Sequence, residues 1–142
     1  MAANNIGFPA LKILVVDDNQ DAAFVNGALL RHSGFQVQTC NSVKGGILIA
    51  EQAKPDVILL DIDMPEMDGF QVCRHIRDQA WGRDLAIIAF TGRDLLSEET
   101  EFRLAGFDKH LFKPANKEEL FDAVVSVFKD KQFRNSSDQP TR

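Results

Sequence analysis

Cysteine is nearly absent from the 142-residue chain, with Cys40 and Cys73 the only two. They are too far apart for a CxxC motif and too few for a disulfide framework, so two reduced, part-buried thiols are expected. Long apolar runs are missing as well. Nothing approaches the roughly 20 residues of a membrane-spanning helix, and Met1 to Ala10 has neither the basic start nor the apolar centre of a signal peptide. A cytoplasmic protein with no membrane contact is the expectation. Positive charge is in deficit: 16 Lys and Arg against 21 Asp and Glu leave a net charge of −5, with a pI near 5.1. Such a surface is not built to condense on phosphate backbones or anionic lipid, which argues against direct DNA binding. Internal repeats and low-complexity blocks are lacking too.

What is present is the balance of a globular domain, 44% hydrophobic and 26% charged, in a length that fits one domain. Three short apolar runs rich in branched residues read as strands buried on both faces: Leu11 to Val16, Asp56 to Leu60 and Leu85 to Phe90. Phe35 to Thr39 and Lys109 to Phe112 are weaker strand candidates. Helix-length stretches separate them: Asp21 to Ser33 closed by Gly34, a segment after Ser42 stopped by Pro55, Gly69 to Gln79, and Ser97 to Ala105 closed by Gly106. The best helix carries Leu120, Ala123, Val124, Val127 and Phe128 as one stripe, with Asn116 and Glu119 as a cap before it. Two local signals conflict: Asn26-Gly27 suggests a hairpin turn, and Gly45-Gly46 weakens the start of the second helix. Five strand-helix alternations imply a doubly wound α/β domain with a parallel sheet and right-handed crossovers. Residues 1–10 read as an N-terminal extension, and 130–142, with little to bury, as a flexible tail.

In a parallel sheet all strands end on one side, so residues that close different strands meet there. Asp17 and Asp18 follow the first strand, Asp61 the third, Thr91 the fourth and Lys113 the fifth. Singly, each is explained by a cap, a turn or solvation. Five functional groups at one edge are not, because capping needs neither an adjacent acidic pair nor a lysine before Pro114. Carboxylates about 5 Å apart at an effective dielectric near 20 repel by roughly 3 kcal/mol per pair, so three of them raise a pKa or recruit a cation. An all-oxygen site suits magnesium or manganese, and with no Cys or His in these loops zinc is disfavoured. A carboxylate-bound cation beside Lys113 and Thr91 is equipment for handling a phosphoryl group, with Asp61, across the crevice from the acidic pair, as nucleophile.

These residues resemble a known family. Val15-Val16-Asp17-Asp18-Asn19, Leu60-Asp61-Ile62-Asp63-Met64-Pro65-Glu66-Met67-Asp68-Gly69, Phe90-Thr91-Gly92, Ala105-Gly106-Phe107-Asp108 and Phe112-Lys113-Pro114 look like a response regulator receiver domain. The resemblance covers residues 11–129 and implies a (βα)5 flavodoxin-like sandwich with strand order 2-1-3-4-5. It further implies that Asp61 accepts a phosphoryl group from a phosphohistidine on a histidine kinase or histidine phosphotransfer protein. By the same resemblance, Asp17, Asp18, Asp61 and the backbone carbonyl of Asp63 hold Mg2+ or Mn2+. Thr91 and Lys113 grip the phosphoryl oxygens, Gly92 keeps the group accessible, and the Lys113-Pro114 bond is cis. Output passes through helix 4, strand 5 and helix 5 to a downstream protein or a second copy in a homodimer. The segment from Phe90 to Leu111 is most similar to receivers attached to hybrid histidine kinases, a lineage that also includes standalone regulators.

One position departs from the pattern. His110 stands where the family often has an inward-turning Tyr or Phe, and an exposed ring facing a partner is expected there in place of a switch. The acidic Asp63 side chain lies near the line of a hydrolytic water, with an effect on the lifetime of the aspartyl phosphate. Three other functions compete with the receiver. Asp61-Ile62-Asp63 also fits the DxD of haloacid-dehalogenase-type phosphatases, but that motif opens its fold and lacks the Pro65 found here. A flavin-binding module needs a phosphate loop that Asp17 and Asp18 would repel. A pseudo-receiver used only for contacts would not need all five site residues.

Overall fold

The chain is described by a computed structural model, which covers residues 10–65, 67–93 and 96–137. The expected N-terminal extension up to residue 9, Glu66 of the third-strand motif and the end of the expected tail, 138–142, lie outside the described residues. Five strands, β1 (Lys12–Val16), β2 (Gln36–Cys40), β3 (Val57–Asp61), β4 (Ala86–Thr91) and β5 (Lys109–Phe112), alternate with α1 (Gln20–His32), α2 (Val43–Ala53), α3 (Gly69–Asp78), α4 (Glu99–Ala105) and α5 (Lys117–Ser137). The strands form one sheet in the order β2-β1-β3-β4-β5, and every pairing is parallel. This is the doubly wound order expected from the sequence.

Two apolar layers enclose the sheet. Leu14, Val16, Ile58, Leu60, Ile87 and Ala89 face Ala50 of α2, Cys73 and Ile76 of α3, and Phe102 and Ala105 of α4. The alternate strand residues Ile13, Val15, Val57, Leu59, Ala86 and Ile88 face Ala23 and Leu30 of α1 and Leu120, Ala123, Val124 and Val127 of α5. Burial on both faces explains why β1, β3 and β4 read as continuous apolar runs. β2 and β5 were the weaker signals because they are the sheet's edges and stay partly exposed.

Side-chain caps begin four helices: Asn19 accepts from Ala22 N, Ser42 from Gly45 N and Asp68 from Phe70 N, while Asn116 and Glu119 exchange backbone-to-side-chain bonds at 2.9 and 2.8 Å. The Asn26-Gly27 turn signal is overridden. Both residues lie buried inside α1, and a Cβ at Gly27 would sit 2.9 Å from Thr39 of β2. Gly46 plays the same part under α2, where a Cβ would meet Val16 at 2.8 Å. Both glycines therefore serve close helix-sheet packing. α5 runs to Ser137, beyond the residue where the tail was expected to begin. Its extension is anchored by Lys131 and Arg134, which reach Asp108 at 3.2 and 3.5 Å. Among the described residues, no helix is long and apolar enough to cross a membrane.

Candidate functional site

Strand register brings the candidate residues to one level. Val16 pairs with Leu60, Asp61 with Phe90 and Thr91 with Phe112, so Asp17, Asp61, Thr91 and Lys113 emerge together at the carboxyl edge. Asp61 and Thr91 are the last residues of β3 and β4, so both strands end one residue later than the sequence indicated. Backbone bonds fix the neighbours: Asp17 N donates to Cys40 O at 3.0 Å and Lys113 N to Thr91 O at 2.8 Å. The Asn41 side-chain amide donates to Asp17 O at 2.9 Å, and the Lys113-Pro114 bond is cis.

Asp17, Asp18 and Asp61 each offer a carboxylate oxygen, all within 4.8 Å of one another. They line a cleft of about 600 Å³ that also takes in Asp63, Lys113 and Phe90. Asp17 and Asp61 are 2% and 3% exposed, and Asp18 is open to solvent. Asp17 Oδ1 accepts from Asn19 N at 2.9 Å, but the buried Oδ2 has no hydrogen-bond partner among the described residues. Burial raises the Asp17 carboxyl to about 6, with the Asp61 carboxylate adding to the rise and the Asn19 amide and Lys113 opposing it. A buried, unpartnered acceptor beside two further carboxylates fits a hard cation with oxygen ligands.

Lys113 bridges two acids, with Nζ 2.8 Å from Asp61 Oδ1 and 3.5 Å from Asp63 Oδ2. Burial works against its charge, but the bond to Asp61 and the acids around it outweigh that, and its pKa is raised. Asp63 N donates to Asp61 Oδ1 at 2.8 Å. The Asp63 side chain turns the other way, accepting from Thr91 Oγ1 and from Gly92 N, each at 2.8 Å. Partial burial opposes its charge, yet these bonds and the cations hold the Asp63 carboxyl below its usual range. His110 is exposed on β5, its ring edge-on to Phe102 and Phe112 at 5.3 and 5.0 Å.

Arg93 did not stand out in the sequence. Its Nε lies 3.3 Å from Asp63 Oδ1 and its Nη1 3.4 Å from Glu98. The signal was an acid two residues past Asp61 and a cation two residues past Thr91, on strands that become neighbours.

An acidic pocket, a lysine and a threonine at the carboxyl edge of a 2-1-3-4-5 parallel sheet define a phosphoacceptor signalling domain. Residues 13–125 match the response regulator receiver domain, and the chain belongs to that family, the receivers of two-component systems. Protein PilH of Pseudomonas aeruginosa is 32% identical over 116 residues, covering 82% of this chain and 96% of PilH. Response regulator MprA of Mycobacterium leprae is 33% identical over 119 residues. That match covers 84% of this chain but 51% of MprA, so the chain spans about half the length of that relative. The receiver domain of the sensor histidine kinase PA1611 from Pseudomonas aeruginosa, solved with a magnesium ion in its active-site cleft, superposes with a TM-score of 0.76. It is 31% identical, over 85% of this chain and 99% of that one.

Proposed function

We propose that Asp61 is the phosphoacceptor, taking its phosphoryl group from a phosphohistidine of a histidine kinase or histidine phosphotransfer protein. The observation that carries this reading is the Asp61 carboxylate itself, 3% exposed, bonded to Lys113 at 2.8 Å and facing an acidic cleft. One Asp61 oxygen forms the new P–O bond as the P–N bond breaks, and that electron pair leaves on the imidazole nitrogen. Asp17, Asp18, Asp61 and the Asp63 backbone carbonyl would hold Mg2+ or Mn2+. Such a cation, bound, offsets charge on the phosphoryl oxygens. The charge of Lys113 and the Thr91 hydroxyl act on the same oxygens, and Gly92, without a side chain, leaves them room. The site also governs its own dephosphorylation by water.

Downstream contacts run through α4, β5 and α5. Leu104 of α4 is 76% and Phe112 of β5 48% exposed, and the Phe112 ring lies 5.0 Å from that of His110, a surface for a protein partner or a second copy. A phosphatase reading needs Asp63 as a proton donor, and the lowered pKa and tethered carboxylate of Asp63 disfavour it. The test is incubation with acetyl phosphate and Mg2+ followed by intact-mass spectrometry. One phosphoryl adduct on the wild type, absent from Asp61→Asn, is expected. An unmodified wild type would sink the proposal.

A further inference from the structure

Four donors meet on the Asp63 carboxylate. Thr91 Oγ1 donates to Oδ1 and Gly92 N to Oδ2, both at 2.8 Å, while Arg93 Nε approaches Oδ1 at 3.3 Å and Lys113 Nζ approaches Oδ2 at 3.5 Å. This is a nearly complete shell for an oxyanion, assembled from a hydroxyl, a backbone amide and two cations. Lys113 is shared with Asp61, 2.8 Å away, so the shell opens directly onto the acceptor oxygen. A phosphoryl group on Asp61 would bring its oxygens to the same donors. Asp63 is well placed to occupy them first. Its own amide is pinned to Asp61 Oδ1 at 2.8 Å, which fixes the backbone and aims the side chain across the gap from β3 to β4.

We infer that Asp63 is an intramolecular stand-in for the phosphoryl group: its carboxylate fills the oxyanion cradle of the unmodified domain and is displaced when Asp61 is phosphorylated. This inference rests on the phosphoacceptor reading of Asp61. Asp63 is thereby a positioning residue with two effects. It holds the Thr91 hydroxyl and Gly92 amide in place before any phosphoryl group arrives, and it competes with that group for them. Displacement also frees Arg93, whose other partner is Glu98 at 3.4 Å, immediately before α4. The occupancy of the cradle is thus connected by one arginine to the start of α4.

The experiment compares the full chain with Asp63→Ala and Asp63→Asn, using Mg2+ and beryllofluoride as the phosphoryl probe. Both substitutions keep the Asp63 backbone carbonyl. Titrations followed by amide NMR give the affinity, and the Gly92 N–H resonance reports on the cradle. Asp63→Ala is expected to bind the probe at least about tenfold more tightly, the equivalent of one net hydrogen bond no longer in competition. Asp63→Asn, which keeps the shape and one accepting oxygen, is expected to fall between. The Gly92 resonance should differ between free wild type and free Asp63→Ala and coincide once both are saturated. Equal or weaker binding by Asp63→Ala, in a wild type that binds the probe, overturns the inference and leaves the phosphoacceptor reading standing. So does an Asp63→Asn identical to Asp63→Ala with an unmoved Gly92 resonance, which would reduce the effect to net charge. If the wild type neither binds the probe nor gains mass from acetyl phosphate, the phosphoacceptor reading fails and takes the inference with it.

Discussion

Asp17→Asn should make the metal-free protein more stable while removing one of the proposed Mg2+ ligands. Asp17 is 2% exposed, has an oxygen with no hydrogen-bond partner among the described residues, and shares the cluster with Asp18 and Asp61. Its carboxyl is raised from 3.8 to about 6. A raised acid is destabilising where it must ionise, so the cost is small below the unfolded value, grows as pH rises through the two pKa values, and is complete above the folded one. At about 1.4 kcal/mol per unit, the cost is about 3 kcal/mol near pH 7 and about 0.5 kcal/mol near pH 4. A neutral amide beside Asp61 escapes it. Urea unfolding followed by the single tryptophan, Trp81, should therefore show Asp17→Asn more stable by up to about 3 kcal/mol near pH 7, with the gap closing near pH 4. Saturating Mg2+ should reverse the trend. At about a hundred times its dissociation constant a ligand adds about 2.7 kcal/mol, and only the wild type keeps the full set of proposed ligands. A variant no more stable than wild type without metal, or a gap unchanged near pH 4, would refute the reasoning.

Two further outcomes test the frame around the site. Arg77 of α3 donates to the carbonyls of Gly106, Gly82 and Leu85 and pairs with Asp108 at 2.8 Å. Arg77→Ala should cost about 3 kcal/mol in urea unfolding, the low end for breaking a buried pair, since Lys131 and Arg134 remain on Asp108. The two thiols should differ in reactivity. Cys73 is fully buried, and burial pushes its thiol up to about 12, whereas Cys40 is partly exposed. Native maleimide labelling should give one adduct, lost in Cys40→Ser, and a second only after unfolding.

Much of this protein is determined by sequence alone, because the signals are local. Burial on both faces makes β1, β3 and β4 continuous apolar runs, and parallel connection forces their ends, with Asp17, Asp61 and Thr91, to one side. The acidic composition and the Lys113-Pro114 pair add the charge logic of the pocket. Local signals fail where a neighbour decides. Asn26-Gly27 reads as a turn until β2 packs on Gly27, and the segment after Lys129 reads as a tail until Lys131 and Arg134 find Asp108. The orientation of Asp63 is the clearest case. The sequence places it two residues past Asp61, as an acid near a water. Only the register of β3 beside β4, Asp61 opposite Phe90, sets it facing Thr91, Gly92 and Arg93, because hydrogen bonds between loops depend on which strands are neighbours and at what level they end.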